Sequence, residues 1–480
     1  MTDNIVKGND EVKMKQRLSL LNGVTMVVGN IVGSGIFLTP KGVHEYIGSP
    51  AASLIIWTVS GVLSLVGAVC YAELGTTIVK SGASYSYIKD SFGPMLGFVR
   101  LWLSVLIIEP TVQAAIAVTF SEYLIKPFFV TCDPPIVAVR LVAAACCLFI
   151  LAMNVKSVRI ATRIQDAFSY AKIFALIVIM IAGLVTYFQD GVSKGALADP
   201  WNGTTWTSEG ILMSLYLGLY SYAGWDTLNF MVEELKNPYK NLPMAIYISM
   251  PLCTVVYLLA NVAYYVVLSS EEMVNSNAVA LTFATKTMGS YGWIMSIFVA
   301  MSCFGALNSS FYASSRLYFV GARENHLPNI FSMVSPKSFT PVPSLFLTGT
   351  LTLFYLFVDD VFELIEYYSF MYWLTVGLSI FGQIYLRFKK PEMPRPIKFS
   401  LFWPFLFGGF CVVLVVVPFY DALTKSLIGT ALLATGFPLY FIFLYNKGRY
   451  TPAFCKTLTT TCSNFVQKLL VVLPESSEVE

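Results

Sequence analysis

The chain has 480 residues, 56% of them hydrophobic and only 12% charged, and 31 Lys and Arg against 28 Asp and Glu leave a net charge of +3. A soluble domain carries about 25% charged residues, so the composition excludes a soluble globular protein, and the small charge with no basic tract excludes a nucleic-acid binder. The apolar mass is spread along the whole length, which leaves no room for a separate soluble domain.

The polar start, Met1 to Arg17, runs straight into an apolar segment and reads as a cytosolic tail without a cleavable leader. Windows of about 20 apolar residues then predict an all-α polytopic membrane protein. About twelve spans fall near 19–38, 51–75, 94–124, 135–155, 165–188, 209–235, 242–268, 292–322, 342–358, 361–387, 400–420 and 426–446. The third and eighth run long, which implies tilt or cytosolic extension. Pro110 and Pro251 inside spans predict local kinks.

An even number of spans puts both termini on one side. With the termini cytosolic, the inner segments and span ends hold 23 of the 31 Lys and Arg. The outer loops hold only Lys41, Lys126, Lys194, Lys286 and Lys425, while Arg100, Arg140 and Lys172 fall within spans. This is the imbalance of the positive-inside rule. The two histidines, His44 and His326, lie far apart, and no Cys/His spacing points to a metal. No nucleophile–base set and no cofactor motif appears, so no enzyme activity and no cofactor is expected.

The first span breaks in its middle at Gly33-Ser34-Gly35 and the sixth at Tyr222-Ala223-Gly224. A helix that only crosses a bilayer gains nothing from such a break, because hydrocarbon cannot solvate the exposed backbone. A pair of Gly-interrupted spans in corresponding halves points to a transporter's substrate site. The expected organisation is therefore a tail at 1–18 and a transport core at 19–387. That core consists of two five-span repeats, about 19–188 and 209–387. Two additional spans follow at 400–446, then a cytosolic tail at 447–480. Five is odd, so the repeats are inverted.

The run Gly29 to Phe37 has the look of a nucleotide-binding glycine loop, but it lies inside an apolar span with no strand before it. Small residues also serve close helix packing; three helix-destabilising residues in succession favour an unwound break. Amides at a half-helix N-terminus can bind a carboxylate, and freed carbonyls can hold an ammonium. An α-amino acid presents both groups. The candidate substrate-binding residues are Ile31, Ser34, Gly35 and Ile36 at the first break, and Tyr220, Ala223, Gly224 and Asp226 at the second.

Ionisable groups at membrane depth are functional candidates, and three matter: Glu109, Lys172 and Asp226. Asp226 can pair with a cationic substrate side chain or sodium, or serve as a structural ion pair or cap. Glu109 can tune the charge preference or act through packing. Tyr220 can close over a substrate or simply pack. Cys132 is the one cysteine in an outer loop, where the compartment is oxidising; such a residue suggests an intermolecular bond.

Gly33-Ser34-Gly35-Ile36-Phe37, the run Cys70-Tyr71-Ala72-Glu73-Leu74-Gly75-Thr76-Thr77, and Glu233-Glu234 followed by Asn237-Pro238 resemble the light subunits of heteromeric amino-acid transporters. These belong to the APC superfamily with the LeuT-type five-plus-five fold. The resemblance runs from about Leu18 to Pro474. It implies obligatory amino-acid exchange at the plasma membrane by a subunit disulfide-linked to a single-span glycoprotein heavy chain, whose cysteine partner falls on Cys132. Ile107-Ile108-Glu109-Pro110-Thr111 and Tyr222 to Asn229 look most like the y+L branch, which exchanges cationic for neutral amino acids together with sodium. The resemblance also makes Tyr220 the gating aromatic, and Ala223 stands where some relatives have glycine. Lys172 resembles the lysine that occupies a sodium position in sodium-independent members, against a purely structural salt bridge.

Weaker signals are the sequon Asn202-Gly203-Thr204 in an outer loop and the loop Arg323 to Pro328, where Asn325 replaces a usual glycine and can keep its left-handed turn. Phe454 to Leu473 can form an amphipathic helix on the inner membrane surface. The alternatives are a sodium-independent exchanger of large neutral amino acids alone and a non-transporting amino-acid sensor with the same fold. A channel is disfavoured because the ionisable residues form no stripe or ring.

Overall fold

The computed structural model describes residues 18–80, 82–129, 132, 134–156, 158–190, 195–230, 232, 235–336, 340–358, 360–421, 423–445 and 453–474. The tail 1–17, the Glu233-Glu234 pair, Lys194 and the side chain of Cys455 lie outside the described residues, as do Val130, Thr131 and Asp133 beside Cys132.

Hydrocarbon offers backbone groups no partner, so the chain crosses as helices. The first half runs through α1 (Leu20–Ile31), α2 (Gly35–Ile47), α3 (Pro50–Thr77), a short α4 (Ser84–Phe92), α5 (Pro94–Leu103), α6 (Glu109–Ile125), α7 (Ile136–Lys156) and α8 (Val158–Asp190). The second half has α9 (Ser208–Ser221), α10 (Thr227–Phe230) and α11 (Pro238–Val267). It continues through the short α12 (Ser270–Val274) and α13 (Val279–Met288) to α14 (Trp293–Arg323), α15 (Val342–Tyr355) and α16 (Val361–Lys389). Then come α17 (Phe402–Val416), α18 (Pro418–Asp421), α19 (Leu423–Phe443) and α20 (Ala453–Leu470). Ser49, Thr207 and Ser269 cap α3, α9 and α12 by accepting a first-turn amide, and Asp360 does the same for α16.

Among the described residues nine helices are long and apolar enough to cross a membrane, and the bent pair α1–α2, turned by 45°, makes a tenth. The sixth and ninth expected spans are the broken α9–α10 and the 14-residue α15. Two boundaries need correction. The fifth span begins at Val158 rather than near residue 165. The first span ends at Ile47 rather than near residue 38. Lys41, His44 and Glu45 end the apolar run, yet α2 packs along α9 and buries Thr39 and His44, whose ring lies 5.4 Å from that of Tyr265. Tertiary packing, not hydropathy, carries this helix onward.

The kink expected at Pro110 takes a specific form. Pro110 has no N–H for the carbonyl of Leu106, and the third span widens there into a π turn over Ser104–Ile108. The Tyr355 hydroxyl donates to the Leu106 carbonyl at 2.7 Å in its place.

The core packs α1, α3 and α8 around α11, and α6, α7, α8 and α15 around α14, with α16 against α6 and α9. Of the long helices, α19 buries the smallest share of its residues, which puts it at the periphery. At the basic face α4 makes three polar contacts. Lys80 pairs with Asp90 at 2.8 Å, Lys89 pairs with Glu324, and the Tyr85 hydroxyl lies 2.9 Å from Nδ1 of His326. The hydrogen-bonded Lys89 ammonium holds Glu324 below the usual carboxylate range. Burial, helped by the same ammonium, pushes His326 down to about 4, so its ring is neutral. Asn325 takes the left-handed conformation expected of it, at φ +58. The α20 helix packs Val466 and Leu470 near Met333 and Val342 and is held by a two-residue antiparallel ladder, Met333–Val334 with Leu473–Pro474; Phe454, Phe465 and Leu469 stay exposed.

Glu73 in α3 is buried and bonded by Arg387 at the end of α16, with Arg387 Nε to Glu73 Oε1 at 2.8 Å and a second contact through the terminal nitrogen. The amide of Phe399 also donates to this carboxylate at 3.0 Å. Removing one partner of such a pair leaves an uncompensated charge at about 3–5 kcal/mol. We expect Glu73→Ala to lower the thermal midpoint of the purified protein severely, and Glu73→Leu with Arg387→Met to recover most of the loss.

Candidate functional site

The two breaks lie against each other. Gly224 has φ +102, which favours glycine, and a Cβ there would stand 3.1 Å from that of Asn30. Where α2 begins, a Cβ on Gly35 would stand 2.5 Å from Cα of Ser221. Only glycine lets α2 and α9 approach this closely.

At the first break the Gly33 amide turns back to the Ile31 carbonyl at 2.8 Å. The amides of Gly35 and Ile36 open α2 and have no carbonyl one turn back to receive them. Ser34 is the N-cap of α2, but its side chain does not cap. It faces across the gap instead, and its hydroxyl stands 3.5 Å from that of Tyr220 in the last turn of α9. Ile31, Ser34, Ile36 and Tyr220 are buried, and Ala223 and Gly224 half-buried. The structure thus brings together all four candidates of the first break and Tyr220, Ala223 and Gly224 of the second.

The unwound carbonyls have partners the sequence did not reveal. Tyr257 of α11 is fully buried, and its hydroxyl lies 2.7 Å from the Ile31 carbonyl and 3.0 Å from the Ser221 carbonyl, one from each break. Ser302 of α14 donates to the Gly33 carbonyl at 3.3 Å. Thr39 and Ser221 share a hydrogen bond of 2.6 Å between α2 and α9. The only sequence signal for these is a polar side chain within a span, which many residues here share.

Asp226 is buried just before α10. The guanidinium of Arg100 lies within electrostatic range of both Asp226 and Glu109, and so does each carboxylate of the other. Arg100 is buried, held by Ser84 at 3.0 Å and by Ser104. Two carboxyl groups and one guanidinium thus lie near the breaks. The Tyr368 and Tyr372 rings stack at 5.2 Å, and Tyr368 meets Tyr220 edge-on at 5.8 Å, which walls this region with aromatics from α16. Lys172 stands apart from this group. Its buried ammonium donates to the carbonyl of Gly29 in α1, joining the first and fifth spans. Cys132 is exposed, and its carbonyl accepts from Lys126 at 3.2 Å.

The arrangement can hold a small zwitterion between helix-start amides and unwound carbonyls. Among the described residues no group of three His, Cys, Asp or Glu is placed to hold a metal. A Tyr257→Phe variant leaves buried carbonyls short of a donor, at about 1–3 kcal/mol. We expect its half-saturation concentration for amino-acid uptake to rise about tenfold with its level in the membrane kept.

Residues 18–445 match the family model described as amino acid permease. The chain is 45% identical to the large neutral amino acids transporter small subunit 2 of Homo sapiens, over 97% of this chain and 87% of that one. It is 40% identical to the cystine/glutamate transporter of Homo sapiens, over 98% and 93%. It is 39% identical to the Asc-type amino acid transporter 1 of Mus musculus, over 98% and 88%. Matches of this length and identity, on a bundle whose first and sixth spans break against each other, place the chain in the amino acid permease family, among the light subunits of heteromeric amino-acid transporters.

Proposed function

We propose that this chain is the light subunit of a plasma-membrane exchanger that takes neutral and cationic L-amino acids by alternating access. The observation that carries this reading is the pair of apposed breaks, with the Gly35 and Ile36 amides on one side and Tyr220 on the other. The substrate carboxylate meets those amides, the ammonium meets carbonyls at Ile31 and Ser221, and Tyr220 closes over the side chain. Asp226 and Glu109, only partly balanced by Arg100, favour a positive charge beside the site. An arginine or lysine side chain supplies it, or sodium does when the substrate is neutral. In this reading both termini are cytosolic, the repeats 19–188 and 209–387 form the core, 400–446 adds two peripheral spans, and Cys132 bonds a single-span glycoprotein.

A second reading, sodium-independent exchange of large neutral amino acids alone, draws support from Lys172. Its ammonium bridges α1 and α8 as a bound cation would.

Labelled arginine efflux from preloaded cells, driven by external leucine with and without sodium, separates the two. The first reading expects leucine-driven efflux that weakens without sodium; no arginine efflux, with leucine still exchanging, would select the second. Asp226→Asn is expected to depress arginine uptake about tenfold more than leucine uptake, the worth of one close charge contact; equal losses would remove Asp226 from this role. On a non-reducing gel the protein is expected in a high-mass band that dithiothreitol and Cys132→Ser each abolish, and persistence of the band in the variant would reject the linkage.

A further inference from the structure

Tyr123, in the last turns of α6, is fully buried and ties three other elements together. Its hydroxyl donates to the Phe37 carbonyl of α2 at 2.7 Å and accepts from the Ala280 amide in the first turn of α13 at 3.3 Å. Its own carbonyl accepts from Ser296 of α14. Phe37 follows Ile36 directly, so this junction lies one residue beyond the amides that open α2. On its far side is a cavity of about 490 Å³ on the face opposite the basic one, lined by Leu38, Val118, Glu122, Ala278 and Val279 among others. Each of these is a near neighbour in sequence of Phe37, Tyr123 or Ala280. The Tyr123 bridge thus ties together the three elements, α2, α6 and α13, whose neighbouring residues line this cavity.

We propose that the Tyr123 hydroxyl is the latch of the outer gate. It holds α2 shut against α6 and α13, and the site opens outward only when the Phe37–Tyr123–Ala280 bridge parts. The break at Val32–Ser34 lets α2 swing while α1 stays in place, as a few unwound residues do at a hinge. The inference rests on the exchange reading and on the side assigned by the basic residues.

The test pairs a labelling rate with a transport constant in the full-length chain with its heavy chain. Ala114 is fully buried, one turn inward of Val118 on α6, and Ala114→Cys reports opening to a membrane-impermeant maleimide added outside. Labelling is taken relative to the chain without that cysteine, since Cys132 is exposed. Tyr123→Phe keeps the ring and removes the latch. Labelling is expected to quicken about fivefold or more. The half-saturation concentration for external substrate is expected to fall about threefold or more, and that for internal substrate to rise, since an apparent dissociation constant scales inversely with the competent population. Ala280→Pro removes the donor on α13, in the helix's first turn where no intrahelical bond is lost, and should shift all three readings the same way. Unchanged labelling, or faster labelling with both constants unmoved or weakened together, would overturn the latch. Faster labelling from the basic face alone would keep the latch and overturn the assigned sides.

Discussion

The structure depends on how it satisfies unwound backbone at membrane depth. Each unpaired carbonyl there costs several kcal/mol, and the two breaks expose several. Tyr257 answers with one hydroxyl placed between the Ile31 and Ser221 carbonyls. It has a single hydrogen to donate, so it serves the two in alternation and needs both breaks within its reach. That requirement explains the bare backbone at Gly35, where α2 must lie almost on Ser221. It also leaves a carbonyl on each break with lone pairs to offer a substrate ammonium. A hydroxyl that serves two carbonyls by turns holds the geometry without using up the site.

Charge is distributed on a different principle. Glu73 is closed off by Arg387 and the Phe399 amide, three donor contacts on one buried carboxylate that tie α3 to the end of α16. Arg100 is instead held by two serine hydroxyls, which fix it without neutralising it, within range of two carboxylates. Burying such a set is costly unless the charges balance. In the proposed exchange, a cationic substrate side chain or sodium adds a positive charge to this set. Lys172, a buried ammonium of the first half, is turned to Gly29 in α1 instead.

Much of this was legible in the sequence because it is written in local rules. Glycine-rich breaks inside apolar spans, the basic imbalance and the proline in the third span are read from neighbours along the chain, and Asn325 took the turn its side chain permits. The failure at residue 38 has the opposite origin. Whether Lys41, His44 and Glu45 end a helix depends on α9 and Tyr265, which lie well over 150 residues away. Tyr257, Tyr368 and Ser302 were invisible for the same reason: each acts on a carbonyl or ring brought close only by the fold. Glu109 and Asp226 were found because ionisable groups in a membrane are rare, whereas Arg100 was noticed only as a residue within a span. Its meaning is set by the distance to two others.

The two faces are closed by interactions of unequal strength, and that asymmetry bears on exchange. At the basic face the ion pairs Lys80–Asp90 and Lys89–Glu324 are partly exposed, and such pairs contribute about 0–1 kcal/mol each, beside the buried Tyr85–His326 hydrogen bond. At the other face the Tyr123 hydroxyl is fully buried between two backbone groups, where leaving a partner unmet costs about 1–3 kcal/mol. With the proposed latch, an empty carrier opens toward the basic face more readily than toward the other. In this mechanism outward opening needs a contribution from the substrate, which the proposed site places at the start of α2, one residue from Phe37. A carrier that crosses only when loaded must take one amino acid for each it gives, and the proposed latch supplies a reason for that coupling in the burial of a single hydroxyl.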